Sequence, residues 1–200
     1  MNIALTGTVG SGKSVVAAML SGWLQCRSID TDAVSRLLLQ PGQSAYLALQ
    51  QRWGSRFISS NGDVDRAALR KAIFADTNLK KQLEALLHSD IRSYVTRQME
   101  IEAAAGKHLL VEVPLLFEVG WQNDFDHTIA VYVPTALSVK RTMLRDTVSE
   151  AEAEAVVAAQ ISAEEKALMA DSVINNSGVW GATVLQVSHL ARNLQELGLE

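Results

Sequence analysis

The segment that decides the fold is Gly7-Thr8-Val9-Gly10-Ser11-Gly12-Lys13-Ser14, which fits the pattern G-x-x-x-x-G-K-[ST]. It stands between a short apolar run, residues 2–6, and a segment with the apolar spacing of a helix, residues 13–23. Glycines permit positive φ angles, so successive backbone N–H groups can converge on phosphate oxygens, and the next helix adds its positive N-terminal end. Strand, loop and helix in this order predict a nucleoside triphosphate site.

Two side chains at the end of this loop complete the predicted site. Lys13 supplies a positive charge for the β- and γ-phosphates, and the Ser14 hydroxyl is placed to ligate Mg²⁺. A GTPase would also carry a D-x-x-G element and an N-K-x-D element, and neither occurs in the chain. A small-molecule kinase needs a carboxylate that receives the proton of the acceptor hydroxyl, and a pocket for the acceptor. The kinase interpretation therefore depends on residues outside the loop.

Strand and helix patterns alternate outward from the loop. Candidate strands are residues 27–30, 108–114, 127–133 and 171–174, and a last helix is predicted over residues 182–197. This alternation is typical of an α/β fold with a parallel sheet flanked by helices.

Two helical segments interrupt the alternation. Helices predicted at residues 65–74 and 77–105 far exceed the roughly dozen residues that a crossover between parallel strands needs, so we expect a helical insertion. Residues 146–169 are rich in Ala and Glu and are expected to be helical, weakly anchored and mobile, as a lid would be. The predicted domains are a core of residues 1–35, 106–145 and 170–200, a helical insertion of residues 36–105 and a lid of residues 146–169.

The composition restricts the class of protein. Among 200 residues, 18 Lys plus Arg and 22 Asp plus Glu give a net charge of −4, so no nucleic-acid partner is expected. One cysteine, Cys26, allows no internal disulfide, which is typical of a reducing compartment. Residues 1–7 lack the basic start of a secretory signal, and Glu112 and Glu118 interrupt the most apolar region. We expect a cytoplasmic monomer or small homo-oligomer with no membrane partner.

Asp30-Thr31-Asp32 follows the second predicted strand, at the carboxyl edge of the sheet where α/β sites form. Along an extended segment both aspartates would point to the same side. Either could instead cap the helix predicted at residues 33–39. Both roles are compatible, because one aspartate can cap the helix while the other faces the phosphate loop.

Four landmarks in order make the chain resemble the dephospho-CoA kinase family. They are Thr6–Ser14, Ile29-Asp30-Thr31-Asp32, Val113-Pro114-Leu115-Leu116-Phe117-Glu118 and Ala170-Asp171-Ser172-Val173-Ile174-Asn175-Asn176-Ser177-Gly178. Many kinases share the first, whereas the remaining three together are far more specific. The resemblance implies a P-loop kinase-like parallel sheet with a helical substrate-binding insertion and a helical lid. It also implies phosphorylation of the ribose 3′-hydroxyl of dephospho-CoA by ATP with Mg²⁺, the last step of coenzyme A synthesis.

The resemblance also implies roles for residues at matching positions. Asp32 becomes the base or hydroxyl-orienting group, while Ser14 and Glu112 lie on the metal side. Arg141 and Arg145, one turn apart on a helix, would reach the phosphoryl group on closure. The residues implied to hold ATP are Gly7, Gly10, Ser11, Gly12, Lys13, Ser14, Val15 and Asn175, and those implied on the acceptor side are Asp32, His88, Leu115, Leu116 and Phe117.

Each of these assignments competes with a purely structural role. Glu112 could be a strand-end acid satisfied by solvent, and the two arginines could form a solvated helix face. Residues 115–117 could simply pack in the core. Asn175 could form a turn, and His88 could occupy a partly exposed helix position.

Three departures from the family pattern bear on the chemistry. Val15 stands where a threonine is common, Ser89 follows His88 where a proline is common, and Val156 occupies the position of a lid arginine four residues before Gln160. The last departure shifts the expected lid chemistry to the arginines of the preceding helix. The alternative functions are another nucleotide or nucleoside kinase, or a nucleotide-binding regulatory protein whose transfer activity has decayed.

Overall fold

The computed structural model describes residues 1–197, so residues 198–200, the end of the predicted core segment, lie outside the described residues. Its strands are β1 (Asn2–Thr6), β2 (Arg27–Asp30), β3 (Leu109–Glu112), β4 (His127–Tyr132) and β5 (Ser172–Asn175). They form one parallel sheet in the order β2-β3-β1-β4-β5. The predicted parallel α/β sheet is confirmed, and the strands lie close to their predicted positions.

Helices connect the strands. They are α1 (Lys13–Leu24), α2 (Thr31–Leu38), α3 (Ser44–Trp53), α4 (Arg66–Ala75), α5 (Thr77–Ala104), α6 (Thr135–Asp146), α7 (Glu150–Ala158), α8 (Ala163–Met169) and α9 (Trp180–Leu197). None of the helices within residues 1–197 is long and apolar enough to cross a membrane.

The described chain divides into two compact units. One comprises Met1–Asp30 and the chain from Ile101 onward, and it contains the whole sheet. The other comprises Thr31–Glu100 and is helical. Within it, the Tyr46 hydroxyl donates to the carbonyl oxygen of Gly62 at 2.8 Å and ties α3 to the turn before α4.

The core of the first unit joins the sheet to α1 and α9. Its buried side chains form one cluster: Ile3, Leu5, Val16, Ala17, Leu20, Leu24, Leu110, Ile129, Val131, Ile174, Val187, Ala191 and Leu194. Each fully buried side chain of the size of Val, Leu or Ile contributes about 1.5–3 kcal/mol of transfer free energy. This packing holds the carboxyl ends of β1, β3 and β4 in a common register, and the candidate site is built on those ends.

Capping side chains set the starts of several helices. Asp65 caps α4 by accepting from the N–H of Ala68 at 2.9 Å. Ser149 and Ser162 each form a capping box, at the starts of α7 and α8. The residue before α3, Gln43, makes no side-chain cap, and sequence patterns did not predict that helix.

Candidate active site

The phosphate loop connects β1 to α1 at the carboxyl edge of the sheet. Gly10, with φ at 75°, and Gly12, with φ at 86°, adopt left-handed conformations that other residues rarely accept. A Cβ on Gly10 would lie 2.6 Å from the carbonyl oxygen of Ser138, and one on Gly12 would collide with the side-chain nitrogen of Asn176. The loop therefore requires these glycines for its own conformation and packing, before any ligand is considered.

Lys13 turns its ammonium group back onto the loop. Its Nζ donates to the carbonyl oxygen of Gly7 at 2.8 Å and to that of Thr8 at 2.9 Å. Ser14, at the next position, is exposed. The hydroxyl of Ser11 is buried and is among the few buried side-chain polar atoms of the described residues that have no hydrogen-bond partner. The exposed part of this loop therefore offers a phosphate the positive charge of Lys13 and the hydroxyl of Ser14.

Two polar side chains from distant elements hold the loop. Ser138, fully buried in α6, donates through Oγ to the carbonyl oxygen of Val9. Asn176, which follows β5, donates through Nδ2 to the carbonyl oxygen of Ser11 at 2.8 Å and accepts from the Thr183 hydroxyl at 3.0 Å. Buried polar groups bonded at both ends are costly to displace, so these contacts restrict the loop to one conformation.

The turn between α7 and α8 also contacts the loop. Gln160 Oε1 accepts from the backbone N–H of Val9 at 2.8 Å. The Val9 side chain packs on a small apolar cluster made by Val139, Ala153 and Val157. The expectation that residues 146–169 are weakly anchored is therefore wrong, because this segment shares both a hydrogen bond and an apolar contact with the phosphate loop.

Two carboxylate residues lie side by side at the same edge of the sheet. Asp30 ends β2 and Glu112 ends β3, and they are partners in the parallel register. Glu112 is also in register with Leu5, two residues before the phosphate loop. Only 8% of Glu112 is exposed, so the alternative that solvent satisfies this acid is wrong.

These oxygen donors fit a magnesium ion. Mg²⁺ keeps several waters and is usually bound by one or two carboxylates together with substrate phosphates. Within residues 1–197, no group of three or more His, Cys, Asp or Glu side chains could hold a metal by itself. The two strand-end carboxylates and the Ser14 hydroxyl are oxygen donors of the kind that Mg²⁺ takes together with substrate phosphates.

Asp32 lies in the first turn of α2, which begins at Thr31 rather than at the predicted Ala33. Because Asp30 ends a strand, the backbone changes from extended to helical between the two aspartates. The expectation that they point to one side of an extended segment is therefore wrong. Asp32 is exposed and belongs to the second unit, which begins at Thr31, whereas Asp30 ends the first segment of the first unit.

Arg141 and Arg145 occupy successive turns of α6. Arg141 Nη2 donates to the carbonyl oxygen of Asn176 at 3.1 Å, so its guanidinium lies at the residue that braces the phosphate loop. Arg145 pairs with its neighbour Asp146 at 2.8 Å, and its side chain is 61% exposed. The structure therefore brings Arg141 to Asn176, the residue that contacts the loop, and leaves Arg145 facing solvent.

The residues predicted on the acceptor side occupy different environments. Leu116 and Phe117 are buried, with 0% and 7% exposed, as core packing requires, whereas Leu115 is 38% exposed. His88 lies half-buried in α5 of the second unit, and burial lowers the pKa of its imidazole.

Asn175 and Asn176 have different partners. The Asn175 side chain accepts from the N–H of Ser177 at 3.0 Å and from its hydroxyl, which is the turn-forming alternative. Asn176 reaches the phosphate loop, and sequence reasoning missed it together with Ser138 and Gln160. These three contacts span 165, 129 and 151 residues of chain, and no local pattern marks them. The nearest signals were the turn composition of the Asn-Asn pair and the family landmark at residues 170–178, which contains Asn176 without indicating its partner.

Comparisons with known proteins place this arrangement in a family. A family model described as dephospho-CoA kinase matches residues 1–181. A dephospho-CoA kinase of Desulfotalea psychrophila is 38% identical over 187 residues, which are 94% of this chain and 94% of that relative.

Solved structures agree with the sequence comparisons. A Thermus thermophilus protein has a TM-score of 0.81 at 31% identity, covering 98% of this chain and 97% of that one. The dephospho-CoA kinase of Campylobacter jejuni has a TM-score of 0.74 at 28% identity, with the same coverage. The likeness extends over the sheet, the phosphate loop and the helical unit, so the resemblance seen in the sequence is confirmed. The chain belongs to the dephospho-CoA kinase family.

Proposed function

We propose that this chain transfers the γ-phosphoryl group of ATP to the ribose 3′-hydroxyl of dephospho-CoA, giving coenzyme A and ADP. Family membership makes the chain a kinase acting on dephospho-CoA with a nucleotide as donor. The observation that carries the proposal is the phosphate loop, where Lys13 Nζ lies 2.8 Å from the Gly7 carbonyl oxygen. The strand-end carboxylates of Asp30 and Glu112 stand at the same sheet edge. The single cysteine supports a cytoplasmic location.

The donor side follows from the loop. The backbone N–H groups of the loop and the Lys13 ammonium bind the phosphates of ATP. Ser14 follows Lys13 in the first turn of α1. Ser14 and Glu112, with Asp30 as a further oxygen donor, would hold Mg²⁺, which supplies positive charge to the phosphate oxygens. Arg141 and Arg145 are the candidates to neutralise charge that spreads over the transferring group.

The acceptor side depends on a carboxylate. In this proposal Asp32 takes the proton of the ribose hydroxyl while that oxygen forms a bond to the γ-phosphorus, and the bond from the γ-phosphorus to the bridging oxygen breaks. ADP leaves, and the proton on Asp32 passes to solvent. The support is the position of Asp32, exposed and two residues beyond the carboxyl end of β2.

We assign acceptor binding to the helical insertion, residues 36–105. A cleft of about 540 Å³ in this part of the chain is lined by two cations, Arg52 and Lys81, by one acid, Asp90, and by the polar groups of Gln82 and Ser89. Cations and hydrogen-bond donors suit the diphosphate of a nucleotide-like acceptor. His88, beside Ser89 in α5, and the exposed Leu115 are further candidates for acceptor contacts. Residues 146–169 are assigned as the lid over bound ATP.

The test is product formation by the purified protein. With ATP, Mg²⁺ and dephospho-CoA we expect coenzyme A, identified by mass, together with ADP in equal amount. Omitting any one of the three should stop the reaction. Faster turnover of another nucleotide or nucleoside in an acceptor panel would replace the assigned substrate. ATP binding without transfer to any acceptor would instead favour the regulatory alternative, to which the missing lid arginine at Val156 points.

A further inference from the structure

A buried ion pair ties α8 to the loop after β3. Lys166 is fully buried, and its Nζ donates to the carbonyl oxygen of Pro114 at 2.8 Å and lies 2.8 Å from Glu118 Oε1. Burial lowers the pKa of the Lys166 ammonium, and the Glu118 carboxylate opposes that shift. Removing two ions from water costs about as much as their attraction returns, so a pair of this kind adds little stability over apolar residues. The other contacts of the Lys166–Glu118 pair indicate that it positions a neighbouring segment rather than adding stability.

Glu118 has a second partner in the turn between α7 and α8. Its Oε1 accepts from the backbone N–H of Ile161 at 3.0 Å. The preceding residue, Gln160, accepts from the N–H of Val9 at 2.8 Å. A continuous series of contacts thus runs from α8 to the phosphate loop through Lys166, Glu118, Ile161, Gln160 and Val9.

Val9 has contacts with α6, with α7 and with the turn between α7 and α8. Gln160 accepts from its N–H, and Ser138 donates to its carbonyl oxygen. Its side chain packs in the cluster of Val139, Ala153 and Val157. A shift of the turn between α7 and α8 would therefore move the first half of the phosphate loop as well.

Resting on the proposed function, we propose that Gln160 is a positioning residue for ATP. Through Val9 it holds the first half of the phosphate loop in the conformation that binds phosphates, and the Lys166–Glu118 pair holds Gln160 in place. Backbone N–H groups bind a phosphate only when they converge on it. Disturbing this series should therefore weaken ATP binding and leave acceptor binding unchanged.

The direct test is Gln160→Met, which keeps the side-chain length and removes the acceptor oxygen. The Kd of Mg-ATP, measured by calorimetry without acceptor, should rise about tenfold, the ratio that corresponds to about 1.4 kcal/mol. The KM for ATP should rise with it, whereas the KM for dephospho-CoA and the Tm should stay near those of the unmodified protein. Glu164→Gln is the matched control, because it alters another α8 contact, the 3.1 Å bond from the Tyr132 hydroxyl, away from the loop.

The ion pair is tested by rescue. Lys166→Met leaves the Glu118 carboxylate without its counter-ion, and it should weaken ATP binding or prevent folding. The double variant Lys166→Met/Glu118→Gln removes both charges and keeps an acceptor for the Ile161 N–H, so its Kd for ATP should return to within about threefold of the unmodified value, roughly 0.6 kcal/mol. A folded double variant that binds ATP as weakly as Gln160→Met overturns the role of the pair.

Two further results would overturn the role of Gln160. One is an unchanged Kd for ATP in folded Gln160→Met, and the second is an equal rise in the KM of both substrates. Failure of the unmodified protein to form coenzyme A would count against the proposed function instead, and the ATP Kd values would still decide the role of Gln160.

Discussion

Asn176 Nδ2 donates to the carbonyl oxygen of Ser11 at 2.8 Å, across 165 residues of chain. The same amide group occupies the space that a Cβ on Gly12 would need, and its oxygen accepts from the hydroxyl of Thr183 in α9. The phosphate loop, the end of β5 and the start of α9 therefore form one hydrogen-bonded arrangement. A substitution that displaces Asn176 is expected to disturb the amides that bind phosphate.

Gly12→Ala tests this arrangement against a matched glycine. Gly42 has nearly the same backbone angle, φ at 82° against 86°, but nothing lies within 4 Å of the Cβ that Gly42→Ala would add. Both variants should lose about 1–2 kcal/mol of stability from the left-handed conformation. Only Gly12→Ala should also lower kcat/KM for ATP, by about 10²-fold, the scale of an ångström displacement of catalytic groups. Equal kcat/KM values in the two folded variants would contradict the role of Asn176.

Lys13→Ala should remove most of the turnover and leave the fold intact. The side chain contacts loop carbonyls rather than the apolar core, so its loss deletes charge and little packing. We expect kcat to fall by about 10²–10³-fold, the loss typical of one electrostatic group that stabilises a transition state. Lys140→Ala, an exposed lysine of α6, is the control. Circular dichroism should show the same helix content in both, and full activity of a folded Lys13→Ala variant would remove the phosphate-loop assignment.

Asp32→Asn should lose about 10²–10⁴-fold in kcat, the cost of removing a positioned general base. Asparagine keeps the shape and one acceptor oxygen but cannot take the proton, so ATP affinity by calorimetry should be retained. Asp30→Asn should cost less, because Asp30 is assigned to the metal side rather than to proton transfer. A loss confined to Asp30→Asn would mean that the base is Asp30, and full activity of both variants would exclude either carboxylate from the chemistry.

Arg141→Ala and Arg145→Ala should both lower kcat, with a smaller change in ATP affinity than in turnover. The structure adds a difference between them. Arg141 also donates to Asn176, so its loss should raise the KM for ATP as well, whereas Arg145 pairs with the adjacent Asp146 at an exposed position. Full kcat in both single variants would favour the solvated-face alternative.

Asp171 is expected to make the fold sensitive to acid. It precedes β5 and accepts from the hydroxyl of Thr128 at 2.7 Å and from its N–H at 2.8 Å, and these bonds hold the pKa of the Asp171 carboxyl below its usual value. The pKa of Asp171 is lower in the folded than in the unfolded state. Its bonds therefore stabilise the fold fully at a pH above the unfolded-state pKa, and this stabilisation is lost as the pH falls through the folded-state pKa. Asp171→Ala should therefore cost about 1 kcal/mol at neutral pH. Urea denaturation should show that the stability difference between the two proteins narrows as the pH falls below the usual pKa of an aspartate carboxyl. A difference that widens in acid would contradict the assignment.

The sequence by itself determined the phosphate loop and the sheet around it. The loop is recognised from eight adjacent residues, 7–14, because its function depends on local features. Its glycines allow the backbone conformation, and its lysine and serine supply the charge and the hydroxyl group. The alternation of apolar strands and amphipathic helices predicts the parallel sheet, because helices cover both faces of such a sheet and its central strands are buried at consecutive positions. The four family landmarks also identify the family, and the comparisons confirm it. Sequence patterns did not predict helix α3.

Only the tertiary structure decided which side chains hold the loop and where the acidic groups lie. Successive residues at the end of a strand point to opposite faces, so the register of β5 on β4 decides that Asn176, and not Asn175, reaches Ser11. Glu112 is buried because β3 lies between β2 and β1, an order that no short segment encodes. Gln160 meets Val9 because helices distant in sequence pack against the loop. Such contacts depend on the positions of whole elements, which are set by burial over the entire core rather than by adjacent residues.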